Sequence, residues 1–181
     1  MFTWWDVVPD GERQQWTLDP FTSVGPLDFD MSPHAVSKAL SNFTGEPQRH
    51  QFLQRQGETR SIVTEGSYRK FGLYLYYRDE RLAGIVVNAL HGPQVLVEGV
   101  KLVGQVPSIL EQWMVGRAEN RPDTELIWMA AGMPASESLG LIIGVQRAGD
   151  HLITKPIFMP EEALVDGYSE WLPNKAWTRY W

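Results

Sequence analysis

The 181-residue chain contains no cysteine. This excludes disulfide bonds, cysteine-ligated zinc sites, iron–sulfur clusters and thiol catalysis. No apolar run approaches the roughly 18 consecutive residues that a membrane-spanning helix needs. The start of the chain shows neither a basic segment nor a small-residue cleavage site, so we expect a soluble, cytoplasmic protein with no membrane association.

Motifs of the common enzyme classes are also missing. The chain has no glycine-rich dinucleotide or phosphate-binding motif, no His-Glu-x-x-His pair and no Gly-x-Ser-x-Gly turn. We therefore assign no catalytic residue, no metal and no cofactor, and we predict that the protein is not an enzyme. Basic residues number 16 against 22 acidic ones, and the net charge of −6 argues against a nucleic-acid partner.

Apolar and aromatic side chains are abundant. They include eight tryptophans, and 43% of all residues are hydrophobic. A chain of this length removes about 70% of its surface from water on folding, so it needs no covalent staples. We predict that the two ends are aromatic arms that pack against the body. The tryptophans of these arms are Trp4, Trp5, Trp16, Trp171, Trp177 and Trp181.

Two stretches of the chain follow one pattern, which predicts a tandem duplication. The aligned pairs are Gly25 with Gly99, Phe29 with Val103, and Pro33 with Pro107. Each stretch leads into a helix pattern with apolar residues on one face. A Gly-x-Pro and a predicted β-hairpin follow each helix, at residues 71–89 and 139–158.

Runs of strands around isolated helices are typical of the α+β class. We predict two related units, each with a helix or a helix pair packed on an antiparallel sheet, between aromatic N- and C-terminal arms. The N-terminal arm covers residues 1–23 and the first unit covers 24–96. The second unit covers 97–159, and a C-terminal helix and arm cover 160–181.

Capping residues locate the two main helices. Ser32 can accept a hydrogen bond from an unpaired N–H, and Pro33 suits the first helical position. The second helix begins at Pro107 or, with Ser108 as its cap, one residue later. We expect this helix to end near Gly116.

Asp28, Asp30 and His34 form a compact polar cluster. Two residues apart on a strand, Asp28 and Asp30 share a face, and His34 begins the next helix. A metal ion or an acid–base pair could use such a cluster. The interpretation we favour is structural: Asp30 and Ser32 satisfy the start of the helix, while Asp28 faces water.

A basic stretch with interleaved aromatic residues spans residues 49–71. Its members are Arg49, His50, Arg55, Arg60, Arg69 and Lys70, with Phe52, Tyr68 and Phe71 between them. Such a pattern could stack nucleic-acid bases. Because glutamates are mixed into the stretch and the chain is acidic overall, we interpret it as a solvated face of a sheet.

The first unit carries Gly-x-Leu-x-Phe-x-Met-Ser at residues 25–32, Gly-x-Pro at 45–47 and a β-rich strand at 73–77. This pattern resembles the helix-plus-sheet unit of the β-lactamase-inhibitor-protein-like proteins, a group that includes the SmpA/OmlA outer-membrane assembly lipoproteins. The resemblance implies tandem units in one continuous sheet with a concave face that binds another protein. It implies no binding residue, because the matching positions are structural. The chain departs from the pattern where Asp30 replaces a glycine, and the second unit lacks Met-Ser.

Exposed aromatic residues on such a sheet would anchor a protein partner. On this ground we predict Tyr74, Tyr76 and Trp128 as binding residues. We expect a non-enzymatic, soluble protein-binding module of inhibitor or immunity type, and its acidic charge would suit a basic partner. Two alternatives remain open: a self-associating structural or assembly protein, such as a homodimer, and a small-ligand binder or hydrolase with a pocket between the units.

Overall fold

The computed structural model of the chain describes residues 4–129 and 132–177. It confirms the predicted α+β class. The strands are β1 (Gln15–Asp19), β2 (Ser23–Val24), β3 (Leu27–Asp28), β4 (Gln48–Gln56), β5 (Thr59–Tyr68), β6 (Leu73–Arg78), β7 (Arg81–Val87), β8 (Gln94–Val97), β9 (Val100–Lys101), β10 (Leu126–Trp128), β11 (Pro134–Ser136), β12 (Leu141–Ala148) and β13 (His151–Phe158). The helices are α1 (Pro33–Leu40), α2 (Pro107–Asn120), α3 (Glu162–Asp166), α4 (Tyr168–Trp171) and α5 (Asn174–Trp177).

The larger sheet has eight strands in the order β10-β11-β12-β13-β7-β6-β5-β4 and is antiparallel throughout. Four of its strands come from each half of the chain. The halves meet where β7 pairs with β13, through Val86 opposite Ile157 and Ile85 opposite Phe158. Both predicted hairpins are confirmed, as β6–β7 and β12–β13.

The smaller sheet has the order β3-β2-β1-β8-β9. Its central pair, β1 with β8, is parallel, with Gln15 opposite Gln94 and Thr17 opposite Leu96. The expectation of antiparallel sheets alone therefore needs one correction. A parallel pair requires a long crossover connection, and helix α1 and the six strands β2 to β7 that lie between β1 and β8 provide it.

The elements follow the same order in both halves. A short hairpin, a helix and a four-stranded meander occur as β2–β3, α1 and β4–β7, and again as β8–β9, α2 and β10–β13. A duplication stays a prediction. Residues 15–19, which we assigned to the N-terminal arm, form the middle strand of the smaller sheet.

The predicted start of α1 is confirmed. Ser32 Oγ accepts the backbone N–H of Ala35 at 3.2 Å, and proline occupies the first position of the helix. Helix α2 begins at Pro107, so the alternative start with Ser108 as cap is wrong. Its end at Asn120 lies beyond the predicted one. Arg117 in its last turn makes an ion pair with Glu98 at 3.1 Å, which favours the extra turn.

The larger sheet buries apolar side chains on both faces. Its first face packs against α1, α2 and the smaller sheet through residues such as Leu75, Val36 and Leu110. Its second face packs against the C-terminal segment, which we define as residues 160–177, through residues such as Ile142 and Trp171. The sheet is thus the middle layer of the molecule, and this limits where a partner could reach it.

The predicted packing of the arms is confirmed in part. Trp16 and Trp171 are buried, at 5% and 7% exposure. Trp4 is 92% exposed, so its predicted packing against the body is wrong. Trp181 lies outside the described residues. The N-terminal part is fastened by buried Arg13, which donates to the backbone oxygens of Gly92 at 2.6 Å and Ala89 at 2.7 Å.

Candidate functional site

The three predicted binding residues lie in different environments. Tyr74 is half-buried on β6, and Trp128 is 50% exposed on β10, at one edge of the larger sheet. Tyr76 has no exposed surface. Because a partner cannot contact a fully buried side chain, the assignment of Tyr76 as a binding residue is corrected.

The C-terminal segment explains why Tyr76 is buried. Tyr76 lies opposite Gly84 on the second face of the sheet. A Cβ atom at position 84 would come within 2.7 Å of Leu172, so glycine lets the segment approach the sheet closely. Trp171 Nε1 donates to the backbone oxygen of Ala83 at 2.7 Å. The C-terminal segment therefore covers the face of the sheet on which Tyr76 was predicted to bind a partner.

The polar cluster of Asp28, Asp30 and His34 shows no arrangement for metal binding. All three side chains are exposed, and Asp30 makes an ion pair of 3.8 Å with Arg81. Among residues 4–129 and 132–177, no group of three or more histidine, aspartate or glutamate side chains is placed to hold a metal ion.

The basic stretch is solvated, as predicted. Its six basic residues are exposed. Two of the three aromatic residues between them are not free to stack bases: Tyr68 is 3% exposed, and Phe71 packs against Trp16 and Phe43 with ring centroids 5.7 and 5.6 Å apart. Tyr68 and Phe71 therefore pack in or against the core instead of forming a base-stacking surface.

On the distal half of the β4–β5 hairpin, one face is left open by the other elements of residues 4–129 and 132–177. Directly opposite residues on paired strands project to the same side, as do alternate residues along each strand. We call this surface the hairpin face; it consists of Gln51, Leu53 and Arg55 on β4, and of Arg60, Ile62 and Thr64 on β5. Five of these six residues are exposed, and Thr64 is half-buried.

Two aliphatic side chains stand at the centre of the hairpin face. Leu53 is 66% exposed and Ile62 is 58% exposed, and they lie directly opposite each other. They belong to the edge hairpin of the sheet, since β4 is the outermost strand. Exposed apolar residues on an edge strand are normally avoided, because they invite pairing with other chains.

A groove of about 620 Å³ runs along the hairpin face. The turn between β6 and β7 forms its other wall with Tyr77, Asp79 and Glu80. Burial raises the pKa of the Tyr77 hydroxyl, so this wall presents a neutral phenol at physiological pH. Of the aliphatic pair, only Ile62 lines this groove, and apart from Tyr77 the rest of its lining is polar or charged.

A second charged cluster lies at the end of α2. Glu98, in the turn between β8 and β9, makes ion pairs with Arg117 at 3.1 Å and Arg121 at 2.5 Å. The hydrogen bond from Arg117 lowers the pKa of the Glu98 carboxyl below its usual value. These charges satisfy one another and fasten α2 to the smaller sheet.

Comparisons with known proteins do not identify a family. No protein-family model, no curated protein and no solved structure matches the chain. Within the described residues, no helix has the length and apolar composition needed to cross a membrane.

Sequence analysis did not single out Leu53 and Ile62. A signal was present. At alternate positions along β4, Leu53 lies between Gln51 and Arg55, and Ile62 lies as far after the turn at residues 57–58 as Leu53 lies before it. The interpretation of this stretch rested instead on its basic residues. What the sequence could not show is that α1 and the smaller sheet end short of this hairpin.

Proposed function

We propose that the chain is a non-enzymatic protein-binding module of inhibitor or immunity type, and that its partner sits on the hairpin face. The observation that carries this proposal is the exposed pair Leu53 and Ile62 on the edge hairpin. Burial of each side chain against a partner would contribute about 1.5–3 kcal/mol. The resemblance to β-lactamase-inhibitor-protein-like proteins supports the inhibitor type.

The position of the hairpin also supports the proposal. On its other side, Gln54 donates to the backbone oxygens of Glu170 at 3.0 Å and Leu172 at 3.3 Å. The C-terminal segment therefore holds one side of the hairpin and leaves the hairpin face open. A contact surface held in place in advance loses less conformational entropy on binding.

Affinity capture from the native host tests the proposal. Three tagged forms are compared: the wild type, the double variant Leu53→Asn/Ile62→Thr, and the control Ile109→Gln. Ile109 is 59% exposed on α2, so the control also removes an exposed aliphatic side chain. We expect one protein to be retained by the wild type and the control, and to be reduced about tenfold or more on the double variant.

Other results would contradict the proposal. A protein retained equally by all three forms would place the binding site elsewhere. Loss of the protein only with Ile109→Gln would move the site to α2. Retention of no protein at all by the wild type would favour self-association or a small ligand. Circular dichroism of each variant shows whether the fold is unchanged.

A further inference from the structure

The hairpin face carries a charge pair that folding alone does not explain. Arg55 on β4 lies directly opposite Arg60 on β5, and both are exposed. Like charges in directly opposite positions destabilise a sheet. Within the described part of the chain, neither guanidinium makes an ion pair or a hydrogen bond. The pair therefore costs stability and receives no internal compensation.

In a second pair of opposed arginines in the same sheet, partners within the chain offset the repulsion between the two charges. Arg78 and Arg81 are also directly opposite each other, at the end of the β6–β7 hairpin. Arg78 lies 4.3 Å from the centre of the Trp171 ring and donates to the Trp171 backbone oxygen at 3.0 Å, while Arg81 pairs with Asp30. Each of these arginines has a partner within the chain.

We propose that Arg55 and Arg60 bind carboxylates of the protein that sits on Leu53 and Ile62, so that the partner presents an acidic segment with apolar side chains. This inference rests on the proposed function and names its partner's chemistry. A residue choice that breaks a local rule without compensation is expected at functional sites. Here two such choices, the exposed aliphatic pair and the uncompensated arginine pair, occupy adjacent positions of one face.

The spacing defines what the partner must offer. The arginine pair is two residues along the strands from the aliphatic pair, which corresponds to about 7 Å. Guanidinium groups bind carboxylates through two parallel hydrogen bonds. An extended segment with an acidic residue two positions from an apolar one would match both pairs. The local charge differs from that of the whole chain. The β4–β5 hairpin holds Arg49, Arg55 and Arg60, against Glu58 in its turn and the buried Glu65, which pairs with Lys175.

A protein fits this surface better than a nucleic acid does. Phosphates would also satisfy the arginines, but single-stranded nucleic acids bind through aromatic rings that stack on bases. The side chains next to the arginine pair are branched and aliphatic.

A random dodecapeptide library displayed on phage provides a defined probe for the full-length protein. Selections run in parallel on the wild type, on Arg55→Glu/Arg60→Glu and on the control Arg69→Glu/Lys70→Glu. The control changes the net charge equally with two exposed residues just beyond the opposite end of β5. We expect the wild type and the control to select peptides enriched in Asp and Glu two positions from apolar residues, and the Arg55/Arg60 variant to select basic peptides.

Affinities then separate this inference from the proposed function. We expect a selected acidic peptide to bind the Arg55/Arg60 variant at least tenfold more weakly, and to lose affinity at high salt. Peptides without acidic enrichment that still require Leu53 and Ile62 would overturn the inference and leave the proposed function standing. Failure of the wild type to select any sequence would overturn the inference.

Two further results would reassign the arginines. Binding of a mixed-sequence single-stranded oligonucleotide that only the Arg55/Arg60 variant loses would assign them to a nucleic acid and overturn the inference. A dimer in light scattering that only this variant abolishes would assign them to a second copy of the chain, and would also overturn it.

Discussion

A single lysine shows how an ionisable residue can be part of the interior. Lys155 on β13 is 2% exposed and lies directly opposite Gly144 on β12. A Cβ atom at position 144 would come within 3.0 Å of the Lys155 backbone oxygen, so glycine suits the close approach of the two strands at this pair. Burial lowers the pKa of Lys155 to about 8, because the charged form loses its hydration.

This pKa predicts how stability depends on pH. Below pH 8 the folded and unfolded chains both carry the charge, and the burial penalty is complete. Between pH 8 and 10.5 the folded chain loses the proton first, so the stability of the wild type rises with pH. Relative to Lys155→Met, we expect a rise of about 2–3 kcal/mol in the free energy of unfolding across this range. Urea unfolding of both proteins at several pH values measures it, and parallel pH profiles would contradict the prediction.

The tyrosines of β6 mark the limit of sequence analysis for single residues. Alternation along the strand correctly separates Tyr74 and Tyr76 from Leu73 and Leu75 as two faces. It cannot show that both faces are covered, because the cover of the second face comes from residues far along the chain. Arg55 and Arg60 have the same limitation, since their direct opposition depends on the register of β4 with β5.

Among the elements, the C-terminal segment is the one whose attachment can be tested most directly. It combines the fit of Leu172 against Gly84 with an ion pair of 2.9 Å between Lys175 and the fully buried Glu65. A buried carboxylate needs such a partner, because an isolated charge in the interior is costly. The segment is therefore fastened to the second face at both of these positions.

Two glycine-to-alanine substitutions should have opposite effects. At Gly84 the new methyl group meets Leu172, and we expect a loss of about 1–3 kcal/mol in the free energy of unfolding. At Gly116 in α2 the new Cβ would meet no described atom within 4 Å apart from its chain neighbours and the adjacent backbone of its own helix, and better helix propensity should add about 0.5–1 kcal/mol. Urea unfolding measures both. Faster chymotrypsin cleavage near Trp171 in Gly84→Ala alone would confirm that the segment loosens, and equal stability of the two variants would contradict the expectation.

Elements with local signals were predictable, and those with distant partners were not. Ser32 and Pro33 locate α1 because capping depends on neighbouring residues. The hairpins follow from short polar turns between β-rich runs, and each turn in the structure has two residues between its paired strands. The parallel pairing of β1 with β8 has no local signal, because its two partners are separated by the whole first meander.

At the scale of the molecule, the two halves share both sheets. The larger sheet is continuous from β10 to β4, and the smaller sheet joins β1 to β8. Arg13 adds a buried connection from the N-terminal part to the loop before β8. Because each half depends on the other for strand pairing, the described body should unfold as one cooperative unit.

Equilibrium unfolding in urea tests this cooperativity. Tryptophan fluorescence sums the signals of all eight tryptophans, including the buried Trp16 of the smaller sheet and Trp171 of the C-terminal segment. Far-ultraviolet circular dichroism reports on the backbone. We expect one transition with the same midpoint for both signals. Two separate midpoints would show instead that the halves unfold independently, as two distinct domains would.

The parallel pair in the smaller sheet also affects folding during translation, because its two strands are synthesised at different times. Strand β1 emerges from the ribosome roughly eighty residues before β8, which at about 5–20 residues per second is an interval of roughly 4–16 s. During this time Trp16 and Leu18 lack the strand that later lies beside them. The newly made N-terminal part is therefore a natural target for chaperones that bind exposed apolar segments during translation.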